Sequence, residues 1–504
     1  MPHPLHVPEL LRLVLVSCSR QSLARLSLVS KSFFDATIPY LWEYVTCDTV
    51  QLLSLMIKGT TYDNGFWRSL VLPKKILHEN FCRFSIYAKF IKHLELKISE
   101  SRDIRSVRNS LSLLDYADSN TILPRLQSFT IESYFNSNSR LDWAAALFSS
   151  SLLEIRCKPS EHALPPLSIN ATSLWLKHIA IKCPNLETLE LHPYSNLPDM
   201  EIEGEVPSWR YEEEDSTRDS FTEPLSRLKQ LRALRINTHI TGRDHMKAIS
   251  SLPNLERLGI CTSHHPDSML ILRQADLTEN SFPMLRCLEL CNLLESDMDN
   301  IWQAESLIQK LQSLCLVLNP LPKPGVLPNQ FGELGDWLHF NLIPKFSQLT
   351  HLTLILEFSE NGEIEAMDEA ELSTLLPLSL EYFSVRGAQV YPNSEPGDDG
   401  DEIKHPCELL ASLWPNIQEL HWPDQPAASR DLIYFAALPH LRRLTLNMKL
   451  MPTPQDIDNI AAGPDTFEVL KCSKPKSFRS TSGSRKQAAR QASVYLSSIL
   501  STRI

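Results

Sequence analysis

One phrase recurs along most of this chain: a proline, any residue, then three apolar positions spaced Φ-x-x-Φ-x-Φ. It begins at Pro124, Pro184, Pro253, Pro283, Pro415 and Pro439. With 34 prolines and 43% hydrophobic residues, about three such phrases would arise by chance. Six occur, and five carry Leu at the first apolar position. Related phrases without the proline start at Trp67, Ile91, Leu152, Leu231, Leu311, Leu349, Leu380 and Phe467. Six of the thirteen gaps between successive first positions are 24 or 26 residues, within the 20–29-residue period of a strand-plus-connector repeat. The last two apolar positions alternate, so each phrase predicts a short strand with one buried face. Reaching the next strand of the same sense needs a crossover, commonly a helix. Each buried Leu then contributes roughly 1.5–3 kcal/mol, but only when a neighbouring repeat covers it. A chain of 504 residues has room for three ordinary domains. The periodicity favours one α/β array with parallel strands. A proline ahead of each strand stops the preceding helix without removing a ladder hydrogen bond, which accounts for part of the excess of 34 prolines over 14 glycines.

The phrase Cys183-Pro184-Asn185-Leu186-Glu187-Thr188-Leu189-Glu190-Leu191 resembles the repeats of leucine-rich-repeat F-box proteins, especially irregular fungal ones. The resemblance spans residues 67 to about 472. It implies a solenoid with parallel strands on its concave face and helices and loops outside. The Asn that usually ladders the turn after each strand is mostly missing, so irregular curvature is expected.

Residues 6–45 form a separate pattern. Pro8 and Glu9 suit a helix start, with Leu10, Leu11, Val14 and Leu15 at helical spacing. Ser22 is a candidate cap for a second helix carrying Leu23, Leu26 and Val29, and a third short helix would carry Phe33 and Phe34 toward Pro39. A unit of this size buries little core alone and needs a partner or the following domain. Pro8-Glu9-Leu10-Leu11, then Leu23-x-x-Leu26-x-Leu28-Val29-Ser30-Lys31-x-Phe33, then Pro39-x-Leu41-Trp42, resembles the F-box motif. Ser17–Gln21 departs from it, because the family usually has a Leu and an acidic residue there. The resemblance implies binding to the Skp adaptor of an SCF-type cullin–RING ubiquitin ligase. Pro8, Leu10, Leu11, Leu23, Leu26, Leu28, Val29, Phe33 and Trp42 match the motif.

The expected organisation is an F-box helical module over 1–46, a connector over 47–66, a solenoid over 67–472 and a basic, Ser-rich tail over 473–504 with a short terminal helix. Polar, acidic insertions are placed at 201–223, 357–371 and 393–402; the first holds nine acids against Arg210 and Arg218. They read as solvated loops on the rim. The net charge of −11 disfavours broad nucleic-acid binding. No apolar run reaches the ~20 residues that span a bilayer. The N-terminus lacks a basic region and Arg12 interrupts its apolar stretch, unlike a secretory signal. Eleven scattered cysteines without a C-x-x-C pair fit reduced thiols, so a cytoplasmic or nuclear location is expected.

No phosphate-binding glycine loop, dinucleotide fingerprint, nucleophile elbow or H-E-x-x-H pattern appears, so catalysis is unsupported; the F-box resemblance implies an adaptor rather than an enzyme, with no cofactor and no metal. Residues between the apolar positions should line the concave face. The candidate substrate face is Glu190, Arg235, Arg257, Glu289, His351, Arg386, Glu419, His421 and Arg443, a mixture of signs unlike a dedicated phosphate site. Cys261, Cys287, Cys291 and Cys315 fall in the same or neighbouring columns; they read as small residues on a packed surface, with a redox or metal-binding patch as the competing reading. The functional expectation is a substrate receptor for a ubiquitin ligase. The alternative is a repeat scaffold acting outside ubiquitination.

Overall fold

Where apolar residues alternate, the strand must present them all to one side, and the computed structural model shows what they pack into. It describes residues 8–64, 68–98, 104–133, 141–158, 167–194, 221–262, 280–292, 301–318, 346, 348–356, 365–367, 369–390, 405–428, 431–449 and 469–470. The chain divides into two units, Met1–Met284 and Leu285–Ile504.

The first unit opens with three helices, α1 (Pro8–Ser17), α2 (Arg20–Leu26) and α3 (Lys31–Glu43). Ser19 and Ser30 cap α2 and α3, their hydroxyls accepting from the backbone N–H of Ser22 and Phe33 at 3.2 Å each. A parallel sheet follows, made of β1 (Tyr44–Asp48), β2 (His93–Ile98), β3 (Ser128–Ser133), β4 (Glu154–Lys158), β5 (Thr188–Leu191), β6 (Ala233–Asn237) and β7 (Arg257–Cys261). These seven lie in chain order, every neighbouring pair parallel. Helices fill several crossovers, among them α4 (Thr49–Met56) and α5 (Ile169–Lys182). A separate small sheet holds Thr61–Asn64, Arg68–Val71 and Ile104–Arg108.

The second unit repeats the plan with β8 (Cys287–Cys291), β9 (Ser313–Leu318), β10 (His351–Leu356), β11 (Tyr382–Arg386), β12 (Glu419–Ala428), β13 (Arg443–Lys449) and β14 (Val469–Leu470), again parallel and in chain order. Its helices include α6 (Pro406–Leu413) and α7 (Leu432–Ala436). After β11, Gly387 takes a φ of 80°, a left-handed value that suits glycine, and turns the chain into the side strand Ala388–Val390.

Thirteen of the fourteen phrases lead into the parallel strands described for the two units. From Ile91 to Leu446, all three apolar residues of each phrase are no more than 2% exposed. The polar alternates face the other way. The arrangement is an α/β, solenoid-like stack of parallel strands.

Two expectations about placement differ from the structure. Trp67 does not lead into the main sheet, because Arg68–Val71 pairs in the small one. The main sheet begins earlier, at β1, which overlaps the module and connector boundaries read from sequence. Trp42-x-x-Val45-x-Cys47 obeys the repeat spacing, and Val45 and Cys47 stand in register with Leu94 and Leu96. Residues 47–66 also contain α4 and the strand Thr61–Asn64. Residues 201–220, 357–364, 393–402 and 473–504, which hold most of the expected insertions and the whole tail, lie outside the described residues.

Candidate functional site: a helical apolar surface and the polar face of the sheet

On the N-terminal helices the apolar pattern exceeds what the fold buries. Leu15 and Leu23 are buried, and Leu11, Leu26, Phe33 and Trp42 are half-buried. Leu10 is 46% exposed, Leu13 69%, Leu28 86% and Val29 66%. Leu10, Leu13 and Val14 lie at i, i+3 and i+4 on one side of α1, while Leu28 and Val29 sit in the turn between α2 and α3. Large apolar side chains are thus left in water on one small module. Of the nine residues matched to the adaptor-binding motif, Leu10, Leu28 and Val29 are exposed, and Trp42 stacks on Tyr87 with centroids 4.4 Å apart, joining the helices to the array. Pro8 is the first residue of α1.

The join is tight. Lys92 donates its backbone N–H to the Glu43 carbonyl at 3.0 Å, and its ammonium pairs with the Glu43 carboxylate at 2.9 Å. Tyr44 stacks on His93 with centroids 4.2 Å apart and 9° between planes. Both rings line a groove together with Thr46, Glu95, Thr130 and Lys158. Sequence reasoning missed the groove because it assigned Tyr44 to the end of the helical module. Burial pushes the His93 imidazole below its ordinary range, against the raising effect of Glu43 and Glu154.

The nine candidate substrate-face residues occupy the polar side of their strands, but several are engaged with one another. Glu190 on β5 is buried, with Arg235 Nη1 at 3.2 Å and His192 Nε2 at 3.2 Å from the same carboxylate oxygen. Burial works to raise this carboxyl; the hydrogen bond and charge of His192, with Arg235 and Arg156, outweigh it and hold the group below its usual range. Glu190 is therefore a strut within the sheet. Arg235 stands in register between Glu190 and Gly259. Arg257, beside Ala233, is exposed.

In the second unit Glu289 is in register with Cys315 and accepts from the Cys291 thiol at 3.5 Å. His351 is exposed and stacks on Tyr382, centroids 5.7 Å apart. Glu419 pairs with Arg443 at 3.2 Å. His421 lies half-buried; burial, then the nearby Arg386, lowers its imidazole despite Asp424. Cys287, Cys291 and Cys315 share the polar side of β8 and β9, while Cys261 belongs to the first unit. The described cysteines are free thiols. Around the edge of α6, His405, Cys407 and Asp431 bring one donor atom each to within 4.8 Å of the others. No sequence motif pointed to this trio, because 24 residues separate Cys407 from Asp431.

Among the described residues no helix is long and apolar enough to cross a membrane. No family model matches the chain, and no curated protein does. Among 44 solved chains with structural matches is a crystal structure of a protein from Bacteroides fragilis, 14% identical over 55% of this chain and 70% of that one, with a TM-score of 0.31.

Proposed function

We propose that this chain is the substrate receptor of an SCF-type cullin–RING ubiquitin ligase, with α1–α3 as an F-box that binds the Skp adaptor and a leucine-rich-repeat array that binds a protein substrate. The observation that carries the reading is the exposure of Leu10, Leu28 and Val29, three motif positions, while the motif positions Leu11, Leu23, Leu26, Phe33 and Trp42 are wholly or partly buried. Covering each of these side chains would contribute up to roughly 1.5–3 kcal/mol, enough in sum to hold a partner helix. The polar face of the sheet offers paired charges at strand spacing, suited to an extended or folded protein surface. The adaptor contributes proximity: it holds substrate near a charged enzyme and raises the effective concentration of the acceptor lysine. It needs no cofactor of its own and acts in the cytoplasm or nucleus.

Co-purification tests this. Leu28→Asp/Val29→Asp alters two exposed residues, so the variant keeps its fold while the new charges oppose burial at the contact. Wild-type protein is expected to recover the adaptor and the variant at least tenfold less. Equal recovery overturns the reading. Adaptor recovery without any protein accumulating after gene deletion would favour a scaffold outside ubiquitination.

A further inference from the structure

We propose that His405, Cys407 and Asp431 form a binding site for a divalent cation of the zinc class, which ties the start of α6 to the residue that opens α7. The donor set is one imidazole nitrogen, one thiol sulfur and one carboxylate oxygen, with the three donor atoms mutually within 4.8 Å. Mixed nitrogen, sulfur and oxygen ligation is characteristic of zinc and ill suited to magnesium or calcium, which take oxygen shells.

Each side chain is held by an independent device. His405 is the N-cap of α6, and its ring lies parallel to that of Tyr434, 17° between planes. Pro406 at the first helical position fixes the backbone between His405 and Cys407, so both side chains leave the same end of the helix. Asp431 precedes α7; its Oδ2 accepts the Ala428 N–H at 2.7 Å, and its Oδ1 stands 3.7 Å from His405 Nε2. Around a tetrahedral zinc with bonds of about 2.0–2.3 Å, ligand atoms stand roughly 3.3–3.7 Å apart. The His405–Asp431 separation already meets that spacing, and the remaining adjustment is about 1 Å.

Burial supports the assignment. Cys407 and Asp431 are buried, a thiol beside a carboxylate, while His405 is half-exposed. A dication with one thiolate and one carboxylate makes a neutral, desolvated cluster. Entry and the fourth coordination position lie on the His405 side, where water or a partner side chain completes the shell. The balance is simple: zinc–sulfur, zinc–nitrogen and zinc–oxygen bonds form, the Cys407 thiol proton passes to solvent, and no electrons move. The imidazole proton moves to Nδ1, so the 3.3 Å bond that Nδ1 accepts from the Cys407 N–H is released.

The experiment uses the full chain purified without chelator. Elemental analysis is expected to find about one zinc per chain, and cobalt titration to give a thiolate-to-cobalt charge-transfer band. Cys407→Ser is expected to abolish that band. His405→Ala, a change at a half-exposed position, is expected to weaken cobalt binding at least tenfold while the circular-dichroism spectrum is retained. Zinc below about 0.1 per chain together with no cobalt band overturns the proposal, as does a cobalt band that persists in Cys407→Ser. The trio would then be a hydrogen-bonded helix cap.

Discussion

Glu190 shows how a residue between the repeat's apolar positions becomes structural. Its carboxylate is almost out of water and shares one oxygen between His192 and Arg235. The stem of Arg235 crosses Gly259 so closely that a Cβ there would stand 2.8 Å from Arg235 Cγ. Glycine is required at 259 by this crossing. Gly259→Ala is expected to push the stem aside and lower stability by about 1–3 kcal/mol, read as a shift in the urea midpoint. Arg235→Met keeps a stem but removes the charge beside a buried carboxylate, with an expected loss of about 1–3 kcal/mol. The two changes should couple, the double variant losing less than the sum, because both act through one crossing. Strict additivity would refute the account. Titration has a definite sign here. The Glu190 carboxyl is held below its unfolded range, so its contribution is complete above the unfolded value and is lost as pH falls through the folded one. In Arg235→Met the acid side of the stability profile should therefore be shallower than in wild type.

At the scale of the element, the repeat was legible because its burial is strictly periodic, and what surrounds the strand was less so. Leu186 N–H bonds the Cys183 carbonyl at 3.2 Å and Ile417 N–H bonds the Trp414 carbonyl at 3.1 Å, which puts Pro184 and Pro415 at the second position of a β-turn. Proline thus acts by shaping the turn into the strand as well as by ending a helix. The Asn after it has a role that the sequence pattern did not disclose: Asn185 and Asn254 donate side-chain N–H bonds to the carbonyls of Ser150 and Lys229, one repeat back, at 3.0 and 2.9 Å. A ladder of asparagines was sought after the strand, and part of it stands before the strand instead. Asn185→Ala is expected to cost about 0.5–1.5 kcal/mol, measured by thermal unfolding, whereas Asn416→Ala at the same point of the phrase provides a comparison in a different repeat. β1 escaped notice for a related reason. Its lead residue Trp42 was absorbed by the helical motif, and no proline announces it. Ser30 anchors the helix that precedes it, so Ser30→Ala should destabilise α3 by about 1 kcal/mol, detectable as faster amide exchange in its first turn.

Across each unit, stability is distributed along a line, since a strand touches mainly the repeats on either side. Trp175 on α5 packs with Phe129 and Phe148, centroids 6.0 and 5.0 Å away, and its indole N–H reaches the Leu141 carbonyl at 3.2 Å. Trp175→Ala is expected to cost about 3–5 kcal/mol. In a stack with nearest-neighbour coupling, the lost hydrogen-exchange protection should centre on β3–β5 and fade toward β1 and β7. Uniform loss over the unit would contradict this. The order of strands could be read from the chain because each repeat follows its predecessor. The polar side was less legible: which charges are struts, like Glu190, and which stand exposed, like Arg257, depends on neighbours brought together only by the register. That register also has a starting point. Among the described residues, ten carbonyls just ahead of later strands each accept two N–H groups from the following repeat, as Lys92 does from Gln127 and Ser128 at 2.7 and 3.0 Å. Lys92 in turn donates to Glu43, the last residue of α3. The helical module therefore serves as repeat zero, joined to the sheet by the same kind of bond that links one repeat to the next. For a receptor of the proposed kind, that makes the helices and the first strands one gauge, setting how far a captured lysine stands from the machinery docked on Leu28 and Val29. Two residues inserted between Glu43 and Tyr44 would preserve which side of β1 faces inward while breaking the gauge. Such a variant should still recover adaptor and substrate, yet transfer ubiquitin to different lysines.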